Sequence, residues 1–486
     1  ADIDGNTLTF TYAGGKLDKV TTADGSWTQY SWTGNAITAI VTGYTDLATS
    51  TAQTLTRVRY GYDANGRLQT VTVDLSPEDN SVSDGKTYVT TYTYEGSSNR
   101  VATIAQTDGS LLAIAYDGQG RVSTLTQTVA SGVTRVTGLT YGTGYTQVTG
   151  PDGQVTRLDY DGAGRLTKIT APPAVSGATA QEVGFAYDAH GNVQSVTDGK
   201  GKVTSYAHDA NGNVTLVTDP NGNTLSRTYD AANRLITELR QGSDDTAADA
   251  AHYTQYAYDA EGHLRFAIDA AGQVTEYEYN AAGQLLQTIR YPEHRYPIDA
   301  TPLSEAALEA LAATLPDRSM LRIVENGYDA RGNVVWTKAY GTADLAGNPL
   351  TTEGVTTSHF SYDQAGHLLQ RHDQGELAES FVYDGMGRLV ASSDVHGGTT
   401  TILFDDASTT TTVTTQLGYS TVSVFDKAGE LVNRTDSGAH TSGGTATYLY
   451  DSSGRMRVAT DASGRKLYVH YDHAGRKVAE INHLGE

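Results

Sequence analysis

The sequence predicts an all-β chain: a long antiparallel β-sheet of hairpins, interrupted by one short inserted helix near residues 302–315. Three observations carry this. A Tyr-Asp-x-x-Gly motif recurs at a spacing of 21 residues wherever the pattern is clean. A second, weaker Asp-x-x-Gly turn falls about halfway through each unit. The composition is rich in Gly (52) and Tyr (31) and poor in Pro (10), Phe (7) and Trp (3). Tyrosine at that level suits half-exposed strands, because its ring packs on neighbours while its hydroxyl reaches water. A length of 486 residues would ordinarily suggest several domains. Arrays grow by adding units rather than cores, so the repeat takes precedence.

The motif stands at Tyr62-Asp63…Gly66, Tyr116-Asp117…Gly120, Tyr160-Asp161…Gly164, Tyr187-Asp188…Gly191 and Tyr258-Asp259…Gly262. It returns at Tyr328-Asp329…Gly332, Tyr362-Asp363…Gly366, Tyr383-Asp384…Gly387, Tyr450-Asp451…Gly454 and Tyr471-Asp472…Gly475. Arg, Asn or His follows the glycine, and in most copies Leu or Val comes next. Positions 187, 208 and 229 keep the period, as do 258 and 279, 362 to 425, and 450 and 471. The register also recovers worn copies: His208-Asp209, Phe404-Asp405 and Phe425-Asp426.

The chemistry of the turn explains the spacing. An Asp opening a turn accepts a hydrogen bond from the backbone N–H two residues on. The closing Gly supplies positive φ, as a type I turn with a G1 bulge requires. The exceptions obey the same physics. Asn233 replaces Gly, and Asn is the next best residue in the left-handed region. Asn280 replaces the opening Asp and offers the same acceptor. Second turns such as Asp198…Gly201, Asp219…Gly222, Asp269…Gly272, Asp394…Gly397 and Asp461…Gly464 leave strands of about six residues. The faces are less regular. Leu68 and Val71, like Leu166 and Ile169, are three apart, which strict alternation puts on opposite faces. Either a bulge lies between them, or both faces are partly covered, or one member points to solvent.

The interval from Tyr279 to Tyr328 exceeds two units and contains the predicted helix. Thr301 is its expected N-cap with Pro302 at N1; Glu305 lies in the first turn and Pro316 stops it. Leu303, Ala307, Leu311 and Leu315, with Leu308 beside them, form the apolar stripe expected to dock on the sheet. Ser76–Lys86, Gly242–Ala251, Gly341–Gly354 and Ser437–Gly444 read as polar loops. Residues 1–60 carry degenerate copies such as Tyr12-Ala-Gly-Gly-Lys-Leu17. No composition shift marks a second domain, so 1–486 reads as one array with a helical insertion at about 291–322.

Charge narrows the partners. The net charge of −22 repels phosphate backbones and anionic membrane surfaces, which argues against nucleic-acid binding. There is no Cys, which excludes disulfides, thiolate nucleophiles and Cys-based zinc sites. No apolar run reaches the roughly 18 residues of a membrane span. The start at Ala-Asp-Ile-Asp, without Met or leader, reads as that of an excised or processed piece.

The motif, its period and its Gly-Arg-Leu continuation resemble the YD or Rhs repeat family from about residue 10 to residue 480. Members include bacterial Rhs toxins, shell-forming components of insecticidal toxin complexes, wall-associated bacterial proteins and animal teneurins. The resemblance implies a sheet that spirals into a hollow or partial shell, with on the order of 40 strands at this length. It also implies a secreted or cell-surface bacterial protein, whose partners are the remaining parts of its own larger polypeptide, including an enclosed C-terminal toxic domain. The family's shell-closing element, an Asp-Pro-x-Gly after an Arg-Tyr-Tyr-Asp type run, has no counterpart here, and no self-cleaving site is assigned.

Catalytic and cofactor readings find no footing in the residues, and neither a cofactor nor a metal is expected. Asp209-Ala-Asn211-Gly-Asn213 and Asp219-Pro-Asn221-Gly-Asn223 lack the Gly and Glu positions of a calcium loop. His470 and His473 are the one close His pair, and there is no HExxH or GxSxG. The expected function is a non-catalytic shell or scaffold. The alternative is a surface carbohydrate-binding module, in which repeated Tyr, Asp, Asn and Arg would stack on and bond a glycan.

Overall fold

The computed structural model describes residues 7–486 apart from 24, 47–50, 78–82, 246–251, 297–302, 316, 352–353 and 439–440. Among these, 38 strands, from β1 (Leu8–Ala13) to β38 (Lys477–Ile481), form a single sheet. Each strand pairs antiparallel with its neighbours in the chain, as Val155–Tyr160 does with Leu166–Ala171, and that strand in turn with Gln181–Tyr187. The sheet is therefore an uninterrupted meander. Among the described residues its two end strands have one partner each.

A bulge resolves the irregular faces. Tyr160 lies opposite Leu166 but Asp159 lies opposite Lys168, so Thr167 is an extra residue. With Leu158 opposite Ile169, the three-residue step keeps Leu166 and Ile169 on one face. The same shift adjoins Tyr62, Tyr187 and His208. At the second turns, such as those between Thr197 and Val203 or Thr218 and Thr224, the ladder runs in register.

Most strand positions are half-buried, as befits one layer, and the buried cluster lies in one place. Phe266, Ile268, Val274, Ile289, Tyr291 and Ile323 are covered by α1 (Glu305–Thr314) through its buried Leu308. The helix is capped by Ser304, whose hydroxyl accepts from the Ala307 N–H at 3.2 Å. Thr301, Pro302 and Pro316 lie outside the described residues. The docked face departs from expectation: Ala307 is exposed, and Ala312 packs beside Leu303, Leu311 and Leu315. Positions 308, 311, 312 and 315 are the i, i+3, i+4, i+7 stripe, and Ala307 lies off it. Glu305 also pairs with Arg265 at 3.1 Å.

Two insertions differ from the sequence reading, and a third, Gly341–Gly354, lies between strands as expected. Strand Leu285–Arg295 runs into the helical insertion and Arg322 opens the next strand, so the insertion is shorter than 291–322. Ser437–Gly444 is largely strand rather than loop, split between Leu431–Gly438 and Thr441–Tyr450, because Ser, Thr and Gly there extend a hairpin. Gly341–Gly354 contains its own turn, in which the Gly347 N–H bonds the Asp344 carbonyl at 2.9 Å and an Ala343–Pro349 bridge closes it. Residues 78–82 and 246–251 of the other two loops lie outside the described residues.

The sheet also meets itself. The amides of Gly385, Lys427 and His473 donate to the carbonyls of Leu75, Val129 and Ala174 at 3.3, 2.8 and 3.0 Å. Gln364 reaches the Gly43 carbonyl, 321 residues away. Arg135 pairs with Glu430 across 295 residues, and Arg455 with Asp152 across 303. In each case a motif turn on one long edge rests on the opposite long edge of an earlier stretch. The sheet is wound, returning on itself after roughly three hundred residues.

Candidate functional site: the Tyr-Asp ladder

Each motif turn is built the same way. The Asp161 N–H bonds the Arg165 carbonyl at 2.9 Å, and the Gly164 N–H bonds the Asp161 carbonyl at 3.0 Å. This is a type I turn closed by a G1 bulge. One Asp161 carboxylate oxygen accepts from the backbone N–H of Ala163 and of Arg165, both at 2.9 Å, and the other from Arg165 Nε at 2.7 Å. Asp63, Asp117, Asp384 and Asp451 repeat this set with Arg67, Arg121, Arg388 and Arg455. Asp472 grips the Arg476 N–H and Nε. Asp188 and Asp329 hold the side-chain amides of Asn192 and Asn333 instead. Asp259 and Asp363 hold the Nδ1 of His263 and His367 at 2.9 and 2.8 Å.

The glycines supply the backbone. Gly66, Gly120, Gly164, Gly191, Gly262, Gly332, Gly366, Gly387, Gly454 and Gly475 all have positive φ. Asn233 has φ 64° in the same role. Asn280 accepts from the N–H of Ala282 and Gln284. The worn copy at Phe404-Asp405 differs. Asp405 stays paired with Thr410, and Thr409 takes the positive φ.

Electrostatics follow the bonds. The backbone N–H of the residue four on is the largest influence holding Asp63, Asp117 and Asp161 below the ordinary carboxylate value. At Asp188 it is the Asn192 side chain. Burial pushes Asp472 up, but the bonds from Arg476 outweigh it, and the carboxyl is lowered.

The tyrosines tie one unit to the previous one, a role that the residues alone had not disclosed. Tyr187 Oη donates to the Leu166 carbonyl at 2.7 Å. Tyr62, Tyr116, Tyr258, Tyr328 and Tyr450 do likewise to Ile37, Val101, Leu235, Leu285 and Leu431. The preceding unit's cation lies over the ring: Arg165 over Tyr187 and Arg234 over Tyr258, both at 4.7 Å, and Arg455 over Tyr471 at 5.6 Å. His367 stacks on Tyr383 at 4.9 Å. Tyr160 donates its backbone N–H to the Gly144 carbonyl. Burial raises the Tyr362 hydroxyl. The signal for this ladder was the Arg, Asn or His four residues after each Asp.

The calcium-like loops have their carboxylates engaged: Asp209 with Asn213 and Asp219 with Asn223. No group of three or more His, Asp or Glu able to hold a metal occurs among the described residues. No described helix is long and apolar enough to cross a membrane.

The fold and its ladder define a class: a single-layer hairpin array wound on itself. The RHS Repeat family model matches residues 116–172, 187–224, 208–246 and 258–295. Residues 116–172, 187–246 and 258–295 thus carry RHS, or YD, repeats. Solved structures similar to it include TcdB2-TccC3 with Cdc42, at 13% identity and TM-score 0.58 over 92% of this chain and 27% of that one. TcdB2-TccC3 without its hypervariable C-terminal region matches at 13% and 0.57 over 91% and 26%. The Photorhabdus luminescens Tc holotoxin pore with a mutated TccC3 matches at 12% and 0.56 over 98% and 26%. At this identity the likeness is one of fold, and the chain spans about a quarter of the length of those chains. No curated protein matches it.

Proposed function

We propose that this chain is a stretch of wall in an RHS-repeat shell of a secreted bacterial toxin or effector. In this reading residues 1–486 are one array, and the wall encloses or presents a domain carried C-terminally in the same larger polypeptide. The chain's own part is structural. The observation that carries the reading is the edge-to-edge return of the sheet through Gly385, Lys427 and His473, since a wall needs continuity between successive passes. Supporting it, the motif carboxylates are engaged within turns, and the hydroxyls of Tyr62, Tyr116, Tyr187, Tyr258, Tyr328 and Tyr450 and the ring faces of Tyr187, Tyr258, Tyr383 and Tyr471 are engaged between units. That leaves little of the repeat to bind a glycan. Similar structures are complexes of TcdB2 with TccC3.

Limited proteolysis of the polypeptide carrying this array tests the reading. The segment following residue 486 is expected to resist protease in the intact polypeptide and to be cut rapidly once expressed alone. Equal digestion rates in the two contexts would overturn it.

A further inference from the structure

Four residues after the motif Asp, the units carry cationic or neutral partners such as Arg121, Asn192, His263 and Gln284. In Asp426-Lys-Ala-Gly429-Glu430 that place is taken by an acid. Locally this is a poor choice. The Glu430 N–H still bonds the Asp426 carboxylate at 2.9 Å, but a second carboxylate stands where Arg165 or Arg455 would close an ion pair. Glu430 finds its partner across the seam instead. Arg135 meets it through two bonds of 2.8 and 2.6 Å, and the two side chains are 13% and 17% exposed.

The other seam contacts pair no opposite charges: Arg476 meets the neutral side-chain amide of Gln181, and the rest end on the main chain. Gly385, Lys427, His473 and Gln364 all donate to main-chain carbonyls, which every unit offers. Such bonds fit equally well after a slip of one unit. The charged pairs do not. One unit beyond Glu430 on its edge is Arg455, which meets Asp152 at 3.1 Å. A slip one way brings Arg455 against Arg135; a slip the other way brings Glu430 against Asp152. Each places like charges together at a partly buried contact, which is how register is commonly protected.

We propose that Arg135–Glu430 and Asp152–Arg455 form a charge code that registers the second pass of the sheet on the first. Glu430 departs from the motif because it serves the seam rather than its own turn. The seam is joined by single amides and side chains, whereas each strand is held by a full ladder, so it opens or shifts while the strands stay paired. The inference rests only on the wound sheet. Its test reads wall geometry, so its failure is distinguishable from failure of the enclosure reading, which protease protection reports.

The chain has no Cys, so spin labels can be placed uniquely. Labels on Ser131→Cys and Ser452→Cys, both exposed, flank the pair. The parent protein is expected to give a single short interspin distance. Glu430→Arg restores the motif pairing with Asp426, so its strand circular dichroism persists while the short distance is lost or broadened. Inverting both pairs together, Arg135→Glu, Asp152→Arg, Glu430→Arg and Arg455→Glu, keeps every slip repulsive and regains the short distance, whereas exchanging Arg135 and Glu430 alone satisfies the slipped registers too and leaves it broadened. Glu430→Gln, nearly isosteric, broadens it without adding charge. An unchanged short distance in Glu430→Arg, or no recovery in the inversion of both pairs, would overturn the proposal. So would collapse of the strand signal in both Glu430→Arg and Glu430→Gln, since seam and sheet would then be inseparable.

Discussion

Gly164→Ala isolates the backbone requirement of the motif turn. Gly164 has φ 81°, and a Cβ built there would touch nothing within 4 Å, so no collision with neighbours enters. What remains is the left-handed backbone, which costs an L-residue about 1–2 kcal/mol. The reduced freedom of the unfolded chain returns about 0.4–1 kcal/mol. The net loss is about 1 kcal/mol, or roughly fivefold in a local opening equilibrium. A global melting temperature is a poor reporter, because units in an array contact only their neighbours. Amide hydrogen exchange is the suitable assay. Protection in Val155–Tyr160 and Leu166–Ala171 should fall about fivefold, while that in Leu389–Ser393 holds. Gly164→Asn should fall less, as Asn233 already occupies this conformation at φ 64°. Equal effects of Ala and Asn, or a loss spread evenly over the sheet, would refute the reasoning.

Tyr258→Phe removes the donor to the Leu235 carbonyl, and about 0.5–1.5 kcal/mol of local stability should go with it, read by exchange in Leu235–Gln241. Leu308→Ala empties the contact that seats the helix on Phe266 and its neighbours. It should cost about 2–5 kcal/mol, with added protease sensitivity confined to the region around residues 257–343. Acid should loosen the array. The carboxyls of Asp63, Asp117 and Asp161 are held below their ordinary 3.8, so they contribute stability above that value and lose it as pH falls through and below it. Circular dichroism should therefore hold from neutral pH down to the ordinary carboxylate range and decline below it. A decline beginning near pH 6 would contradict this account.

Much of the fold was legible because turn chemistry is local. The Asp acceptor, the positive-φ glycine and the Asn233 and Asn280 substitutes all act within five residues, which is the range a sequence pattern reports. The bulge was half legible: the Leu166…Ile169 step signalled it, but a step of three has more than one structural cause. The Tyr187–Leu166 bond and the Arg165–Tyr187 contact join different units, so only the recurrence of their residue types hinted at them. The helix face departs from the expected stripe at Ala307 because alanine suits either side of an amphipathic helix. Ser437–Gly444 read as loop because its residues are polar, although polar residues line an exposed hairpin equally well. The seam was beyond any local pattern, since Arg135 and Glu430 are 295 residues apart. Its trace was the one acid where the motif prefers a cation.

The two edges of the sheet differ in a way that accounts for the winding. On the motif edge, units such as those at Tyr62, Tyr160, Tyr187, Tyr258 and Tyr471 insert one extra residue just inside the turn. On the opposite edge, Asp-x-x-Gly turns after Thr197, Thr218, Ile268, Ser393 and Thr460 insert none. A bulge bends its strand and sharpens the right-handed twist. Concentrated on the motif edge, with shifts on the other edge only at turns such as those after Ala130, Asp373 and Gly438, those bends add more than they cancel. A sheet coiled in this way need not pair its first strand with its last to leave few open edges. It advances as it turns, so that motif turns from one pass meet second turns from an earlier pass, which is the contact seen at Lys427 and Val129. The repeat thus specifies shape through two unlike turns, and it does so without the buried core that a compact domain of this length would require.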